Sequence, residues 1–142
     1  MSANFPACLT LRDYTGVESA RRTVLVVEDS TTTREVVVKI LRREGYNAIG
    51  AADGDEAWAL LRHAMPDLVL LDVMMPGMDG MTLLTKLREQ PTLRELPVIM
   101  LTALSDDGRM DSAKRLGATA YLVKTRFSYD ELLEQVAKVV RH

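Results

Sequence analysis

From Thr23 onward the chain repeats one alternation five times: a short apolar run, then a longer segment whose apolar residues recur at helical spacing. The runs are Val24 to Val27, Ala48 to Ala52, Leu68 to Leu71, Val98 to Leu101 and Ala120 to Val123. Short runs nearly free of polar residues are how strands buried on both faces read. Five strand-helix units in strict alternation imply right-handed crossovers and an α/β fold: a doubly wound five-stranded parallel sheet with five helices. A closed barrel would need about 250 residues. The chain has 142.

The helix ends carry their own signals. Ser30 and Asp53 stand where caps for the first two helices are expected. Ser128 followed by Glu131 forms a capping box ahead of a stripe of Leu132, Leu133, Val136, Ala137 and Val140. Gly45 and Gly117 follow the basic pairs Arg42/Arg43 and Lys114/Arg115, as left-handed stops behind cationic last turns do. Residues 1–22 sustain no periodicity and read as an N-terminal extension ending in Arg21 and Arg22, so the expected domain is 23–142.

Composition narrows the function classes. A net charge of -2, with Lys and Arg scattered, gives no electrostatic reason for sequence-independent nucleic-acid binding. The single cysteine, Cys8, excludes an internal disulfide and a Cys-based zinc site. That fits a reducing compartment, and a cytoplasmic location is the expectation. No apolar run approaches the roughly 20 residues of a membrane helix, so no membrane partner is expected.

In doubly wound sheets, ligands bind outside the carboxyl ends of the strands, near the point where strand order reverses. At those ends stand Glu28 and Asp29 after strand 1, Asp72 after "LVLL", Thr102 after strand 4 and Lys124 after strand 5. If the order is 2-1-3-4-5, three carboxylates converge beside a hydroxyl and an ammonium. Spacing by itself leaves that order open. Converging carboxylates repel one another unless a cation sits among them. Oxygen ligands of this kind suit a hard divalent ion, and Mg²⁺ in particular suits a site of few protein ligands, waters and a phosphoryl oxygen. A carboxylate can then attack phosphorus to form an acyl phosphate. Each residue also has a plainer reading, the acids as helix caps, Lys124 as a solvated charge and Thr102 as a turn residue. Separate capping roles would not bring acid, acid, hydroxyl and amine to four strands at one edge.

The stretches VLVVEDS, LLDVMMPGMDG, PVIMLTA and AYLVK, in this order and spacing, resemble the receiver domain of two-component response regulators over about Thr23 to Arg141. The resemblance implies the flavodoxin-like strand order 2-1-3-4-5, with Asp72 phosphorylated by a phosphohistidine on a sensor histidine kinase or a histidine phosphotransfer domain. It implies Mg²⁺ held by Asp29, Asp72 and the backbone carbonyl of Met74, with Glu28 acting through a metal-bound water. Lys124 would pair with the phosphoryl group and Thr102 would hydrogen-bond to it. Tyr121 matches the family's switch aromatic, which turns inward as the threonine moves, remodelling the face of helix 4, strand 5 and helix 5 for a partner. Such a domain catalyses only its own phosphorylation and dephosphorylation.

Several positions depart from the family pattern. Glu28 replaces the more usual aspartate of the acidic pair, and Thr125 follows Lys124 where many receivers have proline, which makes a cis peptide there expensive. KTRFSYDELL resembles receivers that work with chemotaxis-type kinases. Met74 and Leu104, each two residues beyond a site residue, are apolar where receivers flank the route of the hydrolytic water, so slow self-dephosphorylation is expected. Among the methionines after Asp72, Met75 and Met81 read as packing, whereas Met74 and Met78 are candidates for an adaptable contact with the donor.

The principal expectation is a stand-alone phosphorylation switch. Its alternatives are a receiver module cut from a hybrid kinase and a haloacid dehalogenase-type phosphohydrolase, which also forms an aspartyl phosphate. The latter family wants a second acid two residues after the nucleophile, where this chain has Met74. A flavodoxin-like FMN carrier shares the topology, but the acidic first turn EDSTTT would repel a flavin phosphate.

Overall fold

The alternation becomes a single parallel sheet in the computed structural model, which describes residues 21–75, 77–102, 107–123 and 128–140. The strands are β1 (Thr23–Val27), β2 (Asn47–Ala51), β3 (Leu68–Asp72), β4 (Val98–Thr102) and β5 (Ala120–Val123). The helices are α1 (Thr31–Arg43), α2 (Gly54–Leu61), α3 (Gly80–Glu89), α4 (Asp107–Arg115) and α5 (Tyr129–Val140). The strand order is β2-β1-β3-β4-β5 with every pair parallel. The reversal of direction therefore falls between β1 and β3, the crevice in which such folds bind ligands.

Alternate strand residues point to opposite faces, which divides the core in two. Val24, Val26, Leu68, Leu70, Ile99 and Leu101 meet Val37 and Leu41 of α1 and Leu132, Val136 and Val140 of α5. Leu25, Val27, Val69, Leu71, Val98 and Met100 meet Ala57 and Leu61 of α2, Leu83, Leu84 and Leu87 of α3 and Ala113 of α4. Double coverage explains why β3 and β4 are buried along their whole length. The two edge strands differ from that expectation. In β2, exposed and buried residues alternate at first, with Ile49 39% exposed, and β5 is only half-buried throughout. An edge strand has one neighbour, so its outer side chains lie beyond the reach of the covering helices.

The helix ends behave as their sequences require. The Ser30 hydroxyl accepts from the Thr33 amide at 3.3 Å, and Ser128 and Glu131 cap each other reciprocally at 3.2 and 3.3 Å. Gly45 and Gly117 adopt φ of 95° and 91°, a conformation that disfavours any side chain with a Cβ. Asp53 Oδ1 accepts from the Glu56 amide at 2.8 Å while Glu56 reaches back to the Ala52 amide. Asp53→Ala should therefore cost about 1 kcal/mol. Thermal unfolding should register it as a fall of about 3 to 6 °C, and an unchanged midpoint would contradict the capping role. Among the described residues no helix is long and apolar enough to cross a membrane.

Candidate functional site

Three strand ends build the site. Parallel register sets Leu71 beside Val27 and Asp72 beside Leu101, so the residue after β1 and the last residues of β3 and β4 emerge together. Glu28 is 1% exposed, Asp72 2% and Thr102 0%, and these are the buried polar side chains of the described core. Asp29 is exposed. Each of the three carboxylates offers an oxygen within 4.8 Å of the others. For the buried pair Glu28 and Asp72, that separation means a repulsion on the order of 3 kcal/mol at an effective dielectric of about 20. Carboxylates this close repel one another unless a positive charge lies among them, so the cluster is one that could hold a cation. A hard donor set of carboxylate oxygens fits a small divalent ion such as Mg²⁺.

Local backbone geometry holds the acids in place. The Met74 amide donates to Asp72 Oδ1 at 3.2 Å and the Ser30 amide donates to Glu28 Oε2 at 3.1 Å, each closing a turn two residues long. Arg34, in the first turn of α1, donates from Nη1 to the Glu28 backbone carbonyl at 2.7 Å. The chain leaves Asp72 through a tight exit in which the Gly80 amide donates to the Val73 carbonyl at 3.0 Å. The Asp79 carboxylate caps α3 by accepting from the Thr82 amide at 2.9 Å. Arg34, Asp79 and the packing role of Gly80 were not singled out in the sequence. An acid and a glycine just before the Leu83, Leu84 and Leu87 stripe were the available signal for the last two.

Tyr121 lies beside Met100 in register and packs against the layer formed by α2, α3 and α4. Its hydroxyl is a buried polar atom without a hydrogen bond among the described residues. Lys124 and Leu104 lie outside the described residues, as does the bond from Lys124 to Thr125. Val123, the residue before Lys124, is paired with Thr102, which sets the end of β5 at the same edge. The methionines separate by environment. Met75 is buried, Met81 packs partly, and Met74 is 47% exposed. Met78 is half-buried. It packs against the apolar layer shared by α2 and α3, because the loop folds back over the start of α2.

The response regulator receiver domain profile matches residues 24–137. The response regulator PleD of Caulobacter vibrioides is 44% identical over 103 residues, covering 71% of this chain and 22% of PleD. The chain spans about half or less of the length of curated relatives that it matches. Among solved structures, the Vibrio cholerae chemotaxis protein CheY4 superposes with a TM-score of 0.79 at 36% identity, covering 84% of this chain and 99% of that one. The Mn(2+)-bound form of response regulator Rcp1 gives a TM-score of 0.70 at 29% identity, covering 77% and 85%. Strand order, the shared edge of acids and hydroxyl, and the profile match agree: the chain belongs to the response regulator receiver domain family.

Proposed function

We propose that the chain is a phosphorylation-activated switch in which Asp72 accepts a phosphoryl group from a phosphohistidine. The observation that carries the reading is the convergence of Glu28, Asp29 and Asp72 beside Thr102 at the reversal point of the sheet. In the transfer, an Asp72 carboxylate oxygen forms a bond to phosphorus while the phosphorus-nitrogen bond to histidine breaks, and the imidazole leaves with the electron pair. Little acid-base work is needed, so positioning and charge neutralisation dominate. Asp29, Asp72 and the Met74 carbonyl would hold Mg²⁺, with Glu28 acting through water. The ion would neutralise the phosphoryl oxygens. That a solved relative is described as Mn(2+)-bound supports a divalent ion here. The Met74 amide fixes the plane of the Asp72 carboxylate. Lys124 would pair with the phosphoryl group and the Thr102 hydroxyl would donate to it.

Phosphorylation adds up to two negative charges next to Thr102, favouring whichever conformation presents donors to them. Tyr121 suits a part in that shift. Its buried hydroxyl has no hydrogen bond among the described residues, and since a buried hydroxyl left unpaired costs about 1 to 3 kcal/mol, a second position that pairs it would be favoured. The face of α4, β5 and α5 would then be rearranged for a protein target. The donor would be a sensor histidine kinase or a histidine phosphotransfer domain, and the compartment the cytoplasm. Residues 23–142 would form the receiver unit, alone or within a longer protein, and 1–22 an extension. Intact mass after incubation with acetyl phosphate and Mg²⁺ tests the reading. One phosphoryl group should be added, and chelation of the metal should prevent it. An unchanged mass would sink the proposal.

Met74 stands exposed beside the acceptor. With apolar residues both at Met74 and at Leu104, two positions after Thr102 in the sequence, neither offers a group to orient a hydrolytic water. Met74→Asn combined with Leu104→Glu should hasten loss of the phosphoryl group about tenfold or more, a barrier change of about 1.4 kcal/mol. The decay of the phosphorylated mass checks this, and a half-life no shorter than that of the parent would refute it.

A further inference from the structure

Arg88, near the end of α3, lies at the sheet edge opposite Asp72 and ties together two turns that the chain itself does not connect. Its Nη1 donates to the Leu96 carbonyl at 2.8 Å, just before β4, and its Nη2 donates to the Gly117 carbonyl at 2.7 Å, just after α4. Gly117 is shaped for the contact. A Cβ there would meet Arg88 Nε at 3.0 Å, and its φ of 91° already excludes most residues. Burial pushes the guanidinium down from its ordinary value, and Glu95 opposes that shift. Arginine nevertheless stays charged at any working pH, so the clamp does not titrate. A cation at this place also complements the carboxyl end of α4.

The described side chains of α4, from Asp111 to Arg115, contribute little packing of their own. Of its described side chains, Asp111, Lys114 and Arg115 are exposed, Ser112 is half-buried, and only Ala113 is buried. Its carboxyl end is held instead by a chain of backbone bonds: Leu116 to Ser112, Gly117 to Lys114, Ala118 to Ala113 and Thr119 to Val98. The Thr119 hydroxyl accepts from the Val98 amide at 3.2 Å and locks the turn to β4. In sequence only residues 103–106 separate Thr102 from the amino end of α4, while its carboxyl end leads into the clamp at Gly117.

We propose that Arg88 is a positioning residue whose guanidinium pins the carboxyl end of α4 to α3 and the start of β4, making Gly117 the pivot about which α4 moves. The pivot rests on the phosphorylation reading above, whereas the clamp does not.

Hydrogen exchange of the full chain, with and without acetyl phosphate and Mg²⁺, separates the two. In the unphosphorylated protein, Arg88→Ala should speed exchange of the 116–119 amides about tenfold, with β1 and β2 unchanged. Arg88→Lys, which can reach one carbonyl but not fork between two, should recover part of the protection. In the phosphorylated parent, exchange should rise at 107–111 and stay unchanged at 116–119. In phosphorylated Arg88→Ala the rise should spread to 116–119, a response that mere local stabilisation would not give. The clamp is overturned if 116–119 in Arg88→Ala stay within about twofold of the parent, or if protection falls evenly across the chain. The pivot is overturned if phosphorylation loosens the parent's α4 evenly. Should Arg88→Ala not fold, Arg88→Lys carries the same comparison with a smaller change. Should intact mass show no phosphoryl group, the switch reading and the pivot both fall, and the unphosphorylated comparison alone decides the clamp.

Discussion

An Asp72→Asn variant is expected to take up no phosphoryl group from acetyl phosphate and Mg²⁺, while its fold becomes more stable than the parent's in the absence of metal. The first effect follows from the nucleophile, since an amide oxygen does not form a stable bond to phosphorus. The second follows from electrostatics. Asp72 is 2% exposed and shares its site with Glu28 and Asp29. Removing one of three like charges should raise stability by about 1 kcal/mol or more. That corresponds to a melting midpoint about 3 to 6 °C higher in chelator. Asparagine keeps a carbonyl oxygen that can accept from the Met74 amide, so the turn at Asp72 should persist. Mg²⁺ should reverse the order, because ligand linkage stabilises the parent more than a variant with two carboxylates. Intact mass and paired melting curves read both effects. An adduct that survives in Asp72→Asn would move the acceptor elsewhere, and equal melting in chelator would mean that the acids do not oppose folding.

How far a sequence discloses such a site depends on which contacts carry it. The five strands could be read from short apolar runs because burial on both faces imposes that pattern directly on β1, β3 and β4. The edge position of β2 and β5 left little trace, since exposure at an edge is decided by which strand pairs with which. Strand order is likewise a matter of long-range pairing that spacing leaves open, and it became an expectation only through the family resemblance. Within the site, Glu28, Asp29, Asp72 and Thr102 were legible because each ends a strand, and the parallel register carries them to one edge. Residues that act through backbone atoms were not. Arg34 and Arg88 were not singled out in the sequence, yet they donate to the carbonyls of Glu28, Leu96 and Gly117. Nothing in residue type announces a side chain that satisfies a distant carbonyl. The partial packing of Met78 was not legible for a similar reason, because how a loop methionine sits depends on how the loop folds back over α2.

Gly80→Ala is expected to destabilise the protein by about 2 to 3 kcal/mol and to slow phosphorylation at Asp72, although helix propensity alone points the other way. Gly80 is the first residue of α3, and alanine is favoured over glycine in a helix by about 1 kcal/mol. Packing decides against it. A Cβ at Gly80 would collide with the Asp72 carbonyl oxygen and lie 2.9 Å from Val73 Cα. Both neighbours are backbone of the buried β3 exit, so no flexible side chain can move aside, and overpacking of this kind costs about 1 to 3 kcal/mol or more. Relief would have to come from displacing Asp72 itself, whose carboxylate orientation depends on the Met74 amide one turn away. Gly77 supplies the control in the same loop. Its φ is 73° and a Cβ there would meet nothing within 4 Å, so Gly77→Ala carries backbone strain of about 1 to 2 kcal/mol without disturbing the acceptor. The two variants should therefore part company in the rate of acetyl phosphate labelling. Gly80→Ala should be slowed several-fold or more, and Gly77→Ala should remain near the parent once both are measured well below their melting midpoints. Equal rates in the two variants would show that the close approach of α3 to β3 does not position the acceptor.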